Sequence, residues 1–593
     1  MKKSTQTFLK GLAVACLVAI GGNAGAANYV ATTTGAWTSG STWLGGVAPS
    51  TNVTSDNITV NGSVIVYLDQ NVSISGTSSL NVIGQLNSTA GQDLYVTNGA
   101  TFTGAGSVNV DSLVLGGTSA VLGSTGSINA RALTSLGLAV ASGASITASE
   151  SVKLAAGLLN LTSGTFTLNN NGKVYVAGGQ AGVGGTAIVN LNTYDVHYIE
   201  TSANAGIELY ASGVRNVYID VPAADSVLLT ANWTLDDTLW LNSGKFVLNG
   251  NNVTIGGNGT VGAGGSGTIS STQSSSILIT SNNSFLGSLN FTPNADVVNT
   301  LLINFANSNA TVKLGSDLNI YTNLLLTNGK LDLDGNFLAL GTSASVTGGS
   351  SASYVITSDD GGMSMDVPAG TTGTFMVGTA ANFAPIAVTA NPGSAGGVTS
   401  VGVNTGLQSG IFVGTDLALT QPVVNATWVV ATDATTNVNM NIAPMWSPAM
   451  EVNGFNRTEA FVSANTNGTW DVMPAGAATA SGSLYTMTRS NVTSDIGAYS
   501  VMDKDAVNSV EEVKADKGFV LYPNPVVNTL YFKMAASLNA PMQVNIYDLA
   551  GHLVKTAVAN ASNGVSVADL PSGFYTAQFN SGDHKATEKF VKQ

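Results

Sequence analysis

The chain has 593 residues, of which 20 are Lys or Arg and 34 are Asp or Glu, for a formal net charge of −14. Nucleic acid is excluded as a partner, because binding phosphates requires clustered cations to replace counterions and the sequence has no such cluster. Hydrophobic residues make up 44% of the chain and charged residues 9%, so there is ample apolar surface to bury and a folded protein is expected rather than a disordered one.

The N-terminus reads as a signal peptide over 1–26. Lys2, Lys3 and Lys10 are basic, an apolar stretch follows from Gly11 to Ile20, and Ala24-Gly25-Ala26 supplies small residues for cleavage. The apolar stretch is shorter than the roughly 20 residues a membrane helix needs. Later apolar runs are all interrupted by Gly, Asn or Ser, so no transmembrane span is expected. The single cysteine, Cys16, lies inside the stretch. Lipid attachment there would leave Leu17 to Ile20 as an apolar stub, so cleavage after Ala26 is preferred. The remaining chain then has no thiol for disulfides, metal ligation or nucleophilic attack.

From 27 to 390 the sequence reads as a Gly/Ser/Thr/Asn-rich parallel β-helix. Short alternating runs such as Val64-Ile65-Val66-Tyr67-Leu68 and Leu94-Tyr95-Val96-Thr97 end at Gly or Asn. Such alternation puts one side of each strand in a core, while Gly permits the corners. The spacing of Gly99, Gly143 and Gly164 fits coils of about 20–22 residues. A longer repeat is plainer: Val227, Leu229, Leu235, Leu239, Leu241, Gly244, Lys245, Leu248 and Gly250 recur as Val312, Leu314, Ile320, Leu324, Leu326, Gly329, Lys330, Leu333 and Gly335, each 85 positions on (312 − 227). A short coil cannot bury its own inner face, but stacked coils share a continuous apolar column. Like charges stacked at strand spacing would repel, which accounts for the scarcity of Lys, Arg, Asp and Glu. Trp37 and Trp43 are expected to plug the open first coil.

A β-sandwich-like domain is expected over 391–502, with Trp428, Trp446 and Trp470 in its core. Residues 503–517, with Glu511, Glu512, Lys514, Asp516 and Lys517, read as an exposed linker. The final segment, 518–593, carries the sharpest motifs: Tyr522-Pro523-Asn524-Pro525, then Tyr547-Asp548-Leu549-Ala550-Gly551, then Leu570-Pro571-Ser572-Gly573-Phe574-Tyr575, and finally Lys589 and Lys592 near the C-terminus. Locally these describe a small antiparallel sandwich with turns at 548–551 and 571–573. The fold class expected for the whole chain is all-β: a parallel β-helix stalk followed by β-sandwich domains.

The motifs of 518–593, in this order, closely resemble the C-terminal sorting domain of cargo proteins of the Bacteroidetes type IX secretion system. The region 36–390 more loosely resembles β-helical, adhesin-like surface proteins of the same bacteria. The first resemblance implies that the type IX machinery is a partner, and that Tyr522, Pro523, Asn524, Pro525, Asp548, Gly551, Leu570, Gly573, Tyr575, Lys589 and Lys592 form the sorting signal. It also implies cleavage near 510–518, then attachment to surface lipopolysaccharide or release, so that the protein ends up secreted or on the outer cell surface.

Because β-helices also carry polysaccharide lyases and glycosidases, the ionisable residues need individual readings. Such enzymes require a base beside an acidified proton, or two carboxyl groups about 5–10 Å apart. Lys245 and Lys330 occupy equivalent repeat positions and read as turn residues. Asp332-Leu333-Asp334-Gly335 aligns with Val247-Leu248-Asn249-Gly250 and reads as a turn too, since a calcium loop would need a distal Glu and a differently placed Gly. Asp359-Asp360 has the same reading. Tyr194-Asp195-Val196-His197-Tyr198 is the richest chemical segment. Alternation sets Asp195 and His197 on one face and Tyr194 and Tyr198 on the other. The simpler reading is a half-buried strand; the sharper one is a shallow glycan contact through Tyr194, His197 and Tyr198. No cofactor, metal site or catalytic residue is expected. The function expected is that of a non-enzymatic adhesin-like or structural surface protein. The alternatives are a β-helical polysaccharide-active enzyme and a self-associating surface-layer or matrix component.

Overall fold

A computed structural model of the protein describes residues 26–593 apart from short stretches, the longest of them 409–415, 510–518 and 535–541. The chain is 57% strand and 3% helix, with a parallel β-solenoid of about 13 turns. No helix among the described residues is long and apolar enough to cross a membrane. The chain divides into two compact units, one comprising 1–169 and 182–190, the other 170–181 and 191–593.

In the first unit each coil contributes short strands to parallel ladders. Asn28–Ala31, Asn57–Val60, Ser79–Val82 and Thr101–Thr103 form one. Ile65–Leu68, Gln85–Ser88 and Ser107–Leu115 form a second. Asn52–Val53, Val72–Ile74 and Leu94–Val96 form a third, which also joins Ser107–Leu115. The alternation seen in sequence becomes alternating burial: Ile58, Leu80 and Phe102 are in register and buried, as are Val108, Ile128, Ile146 and Phe166. Trp37 and Trp43 are buried in the first coil. Their rings meet edge to face at 5.2 Å, and the Trp43 Nε1–H donates to the Trp37 carbonyl at 2.8 Å.

The outer wall is laddered as well. The Asn109 amide donates to Asn87 Oδ1 at 2.7 Å, and the Asn129 amide donates to Asn109 Oδ1 at 2.8 Å. Arg131 lies between Asp111 at 2.8 Å and Glu150 at 2.6 Å. An uncharged amide both donates and accepts, so it stacks on its own kind, whereas a cation in the stack needs acids in the coils above and below.

In the second unit the coil length varies, as it does in the first. Register partners lie 18 residues apart at Ile128 and Ile146, and 24 apart at Val253 and Ile277. The 85-residue repeat therefore spans about four coils. Its two copies share turn geometry: Asn249 (φ 52°) and Gly250 (φ 78°) match Asp334 (φ 49°) and Gly335 (φ 83°). These are left-handed conformations that Gly and Asn/Asp tolerate best, so the acidic pair in the second copy belongs to a turn.

Parallel pairing gives way to antiparallel pairing earlier than the boundary expected at 391. Gly362–Val367 pairs parallel with Phe337–Leu340 on one edge and antiparallel with Gly397–Asn404 on the other. Apolar alternation is the same in both kinds of sheet, so the switch leaves no mark in the residue pattern. Gly397–Asn404, Thr427–Thr432, Ile496–Asp503 and Ala460–Thr466 continue the antiparallel sheet. Ile496–Asp503 is buried along its whole length because it is a central strand of that sheet. Trp428, Trp446 and Trp470 are buried, and the Trp428 Nε1–H donates to the Ala384 carbonyl at 2.9 Å. These indoles are core residues.

Candidate functional site

Two regions gather the residues singled out by sequence. In the C-terminal tail, Phe519–Tyr522, Thr529–Met534 and Val565–Ser566 form a three-stranded sheet. Leu553–Ala559, Met542–Asp548, Gly573–Ser581 and His584–Lys592 form a four-stranded one, in that order. Both contribute to one core that includes Leu521, Leu530, Phe532, Ile546, Phe579 and Phe590.

The Tyr-Pro-Asn-Pro motif fastens the end of the chain. Pro523 and Pro525 are buried, and the bonds preceding them are both cis. Asn524 Oδ1 accepts from the Val591 N–H at 2.6 Å, and its amide donates to the Lys589 carbonyl at 3.2 Å. The Val526 N–H donates to the Val591 carbonyl at 2.7 Å, and the Gln593 N–H donates to the Val526 carbonyl at 2.9 Å. A proline has no N–H to offer a neighbouring strand, so the side chain of Asn524 supplies the pairing that the backbone cannot. Tyr522 stacks on Tyr531 at 5.8 Å.

The other motif residues also hold the tail together. Asp548 closes its turn by accepting from the His552 N–H at 2.8 Å, while its own N–H donates to the His552 carbonyl at 3.0 Å. Leu570 is buried and its N–H donates to the Val567 carbonyl. Gly573 begins a strand whose Tyr575 stacks on Phe590 at 5.6 Å and donates its hydroxyl to the Pro571 carbonyl at 2.9 Å. Burial, with the Asp548 charge as a smaller cause, pushes the Tyr575 phenol up. Lys592 is buried and its ammonium bonds the Gln593 carbonyl, whereas Lys589 is exposed. Gly551, most of the linker and Asp359-Asp360 lie outside the described residues, as do residues 1–25 of the expected signal peptide.

In the solenoid the Tyr194–Tyr198 segment is a strand, but its two tyrosines cannot touch a glycan. Both are fully buried: Tyr194 donates its hydroxyl to the Glu208 carbonyl at 2.8 Å, and Tyr198 donates to Glu208 Oε1 at 3.1 Å. Burial, reinforced by the Glu208 charge, drives both phenols upward. The expectation for these two residues is corrected accordingly: phenols that can donate to an internal acceptor are stable inside.

His197 faces outward in a ladder that sequence reading missed. Tyr175, His197, Tyr218 and Trp240 stack with centroid separations of 4.9, 4.2 and 6.1 Å and interplanar angles of 29°, 2° and 5°. Their spacings of 22, 21 and 22 residues are coil lengths, which was the available signal. The next position in register is Gly262, where a Cβ would come within 2.2 Å of the Trp240 ring. Both faces of His197 and Tyr218 are thus covered by other rings, and Trp240 lies between Tyr218 and Gly262. A sugar stacks on an open ring face, and these three offer only edges. Burial, with Lys173 as a second cause, holds the His197 imidazole down to about 4, although Asp195 and Asp220 oppose this. Beside the ladder, Arg215 pairs with Asp195 at 3.1 Å, and Asn216 donates to the same carboxylate.

Asp332, Asp334 and Lys330 are engaged by neighbours. Lys313 bonds Asp334 at 2.6 Å and approaches Asp332 to 3.9 Å, and the Lys330 ammonium lies 5.2 Å from the centroid of the Tyr354 ring.

No curated protein and no solved structure matches the chain. Residues 520–593 match the family model for the secretion system C-terminal sorting domain, and the chain is thereby a type IX secretion cargo, exported to the cell surface or secreted.

Proposed function

We propose that this cargo is a non-enzymatic, adhesin-like surface protein whose solenoid is a stiff stalk. The N-terminal signal peptide carries it across the inner membrane. Cleavage in the linker after export then leaves the stalk attached to surface lipopolysaccharide or free. The observation that supports this reading is the outer wall, where three groups of ionisable side chains bind counterparts in adjacent coils: Asp111–Arg131–Glu150, Asp195–Arg215 and Lys313–Asp334. The Arg131 guanidinium bonded to Asp111 holds that carboxyl below its usual range, in its charged form. A lyase base or a glycosidase acid needs the opposite, a group free to exchange its proton with substrate.

The test is to incubate the secreted protein with neutral and uronic-acid polysaccharides and assay new reducing ends and unsaturated products. In parallel, attachment of a deletion strain to glycan-coated surfaces is measured. No cleavage and reduced attachment are expected. Cleavage of any of these polymers would instead establish the enzyme reading.

A further inference from the structure

The four-stranded sheet of the tail has two edges that are treated differently. At one edge, the C-terminal end of His584–Lys592 is covered by the sorting motif: Val526 bridges to Lys592, and Asn524 bonds both Val591 and Lys589. At the other edge, Leu553–Ala559 pairs with Met542–Asp548 and with no other described strand.

Edge strands in monomeric proteins are usually blunted by outward charges, proline or a bulge, because their unpaired N–H and C=O groups recruit other strands. Leu553–Ala559 has little such protection. It contains no proline, and its one charged residue, Lys555, is tied to Asp569. The one register shift lies at the turn end, between Ile546 and Tyr547. Leu553, Val554 and Val558 are 54%, 41% and 72% exposed, and Thr556 is exposed between the valines. Exposed apolar side chains thus stand along a strand edge with backbone bonds to offer.

We propose that Leu553–Ala559 is the docking edge for the type IX machinery, which adds an extended, uncharged segment of its own as a fifth strand. Main-chain bonds supply affinity in this mode, and alternate side chains supply selectivity. The incoming strand needs apolar groups opposite Val554 and Val558 and no charge opposite Thr556. The machinery is the occupant rather than a second copy of the chain because residues 520–593 match a secretion-system sorting domain, the part of a cargo that such machinery reads. The proposal rests on the sorting assignment of residues 520–593, so the test separates the two.

Four proteins are expressed in the native host: wild type, Val558→Lys, Ser566→Lys as an exposed control in the other sheet, and a chain ending at residue 517. Surface and periplasmic amounts are compared, with thermal melting of each purified protein as a check on folding. Val558→Lys is expected to lower surface protein by about tenfold or more, as loss of docking energy of this order would. Ser566→Lys is expected to export normally, and the truncated chain to stay in the periplasm. Normal export of Val558→Lys with the truncated chain retained overturns the docking edge alone, whereas normal export of the truncated chain overturns the sorting assignment. If Val558→Lys melts early, Val558→Cys decides. The chain's own cysteine, Cys16, lies in the segment expected to be removed, so a thiol-reactive photocrosslinker labels the Val558→Cys variant at that one position. The label is expected to capture a type IX machinery component during export. Capture of a second copy of this chain, or of nothing, overturns the proposal.

Discussion

In the solenoid a buried side chain is in register with its equivalents one coil away, Ile58 with Leu80 and Leu80 with Phe102. In the tail, fourteen buried side chains share one core closed by a motif that joins residue 524 to residue 591. The solenoid is therefore a sum of nearest-neighbour interfaces, while the tail forms or fails as a whole. A stalk can lose a coil and remain a stalk. A signal read by shape needs all of its parts at once.

Cutting one core residue in each region tests this difference most strongly. Phe246 packs against Trp233 at 5.7 Å, and Phe532 against Phe579 at 5.3 Å. Replacing either by Ala should cost about 3–5 kcal/mol. Hydrogen exchange should rise throughout 519–593 in Phe532→Ala, but only in the coils next to residue 246 in Phe246→Ala. Equal spread in both would erase the distinction. Asn524→Ala removes two bonds to the terminal strand and should lower the stability of the tail by about 1–3 kcal/mol, read as earlier denaturant unfolding there with the solenoid unchanged. Asn109→Ala interrupts an amide ladder and should cost about 0.5–1.5 kcal/mol, confined to the coils carrying Asn87 and Asn129.

The smallest effect concerns pH. The His197 imidazole titrates near 4 when folded, against 6.5 in the free side chain, chiefly because of burial. The unfolded chain therefore binds more protons between those values, so stability is complete above about 6.5, declines as pH falls towards 4, and then levels off. His197→Phe should flatten this slope by less than about 1 kcal/mol, since solvent screens a half-buried ring. Burial pushes Asp317 and Asp433 up to about 6, which tilts the profile the other way, so the readout is the difference between variant and wild type.

The apolar alternation and the 227–250 repeat were legible because inward positions admit little but aliphatic and aromatic residues. The turn character of Asp334 was legible because its counterpart is Asn249. The aromatic ladder was not, since Tyr, His and Trp stand in for one another there and coil length varies, being 18 residues at Ile128 and Ile146 and 25 at Phe337 and Gly362. Alternation set Tyr194 and Tyr198 on one face without saying which face is buried, and their acceptor, Glu208, lies 14 and 10 residues on at another side of the same coil, beyond a local reading. In the tail, the motif residues were identified by resemblance. Their roles in fastening the last strand came from hydrogen bonds spanning more than sixty residues, such as Asn524 to Lys589.

Where a chain ending at residue 517 resides in the native host tests the division between stalk and address most directly. Full-length protein should reach the cell surface or medium, while the shortened chain should be folded, protease-resistant and confined to the periplasm. Equal amounts of both forms outside the cell would contradict it.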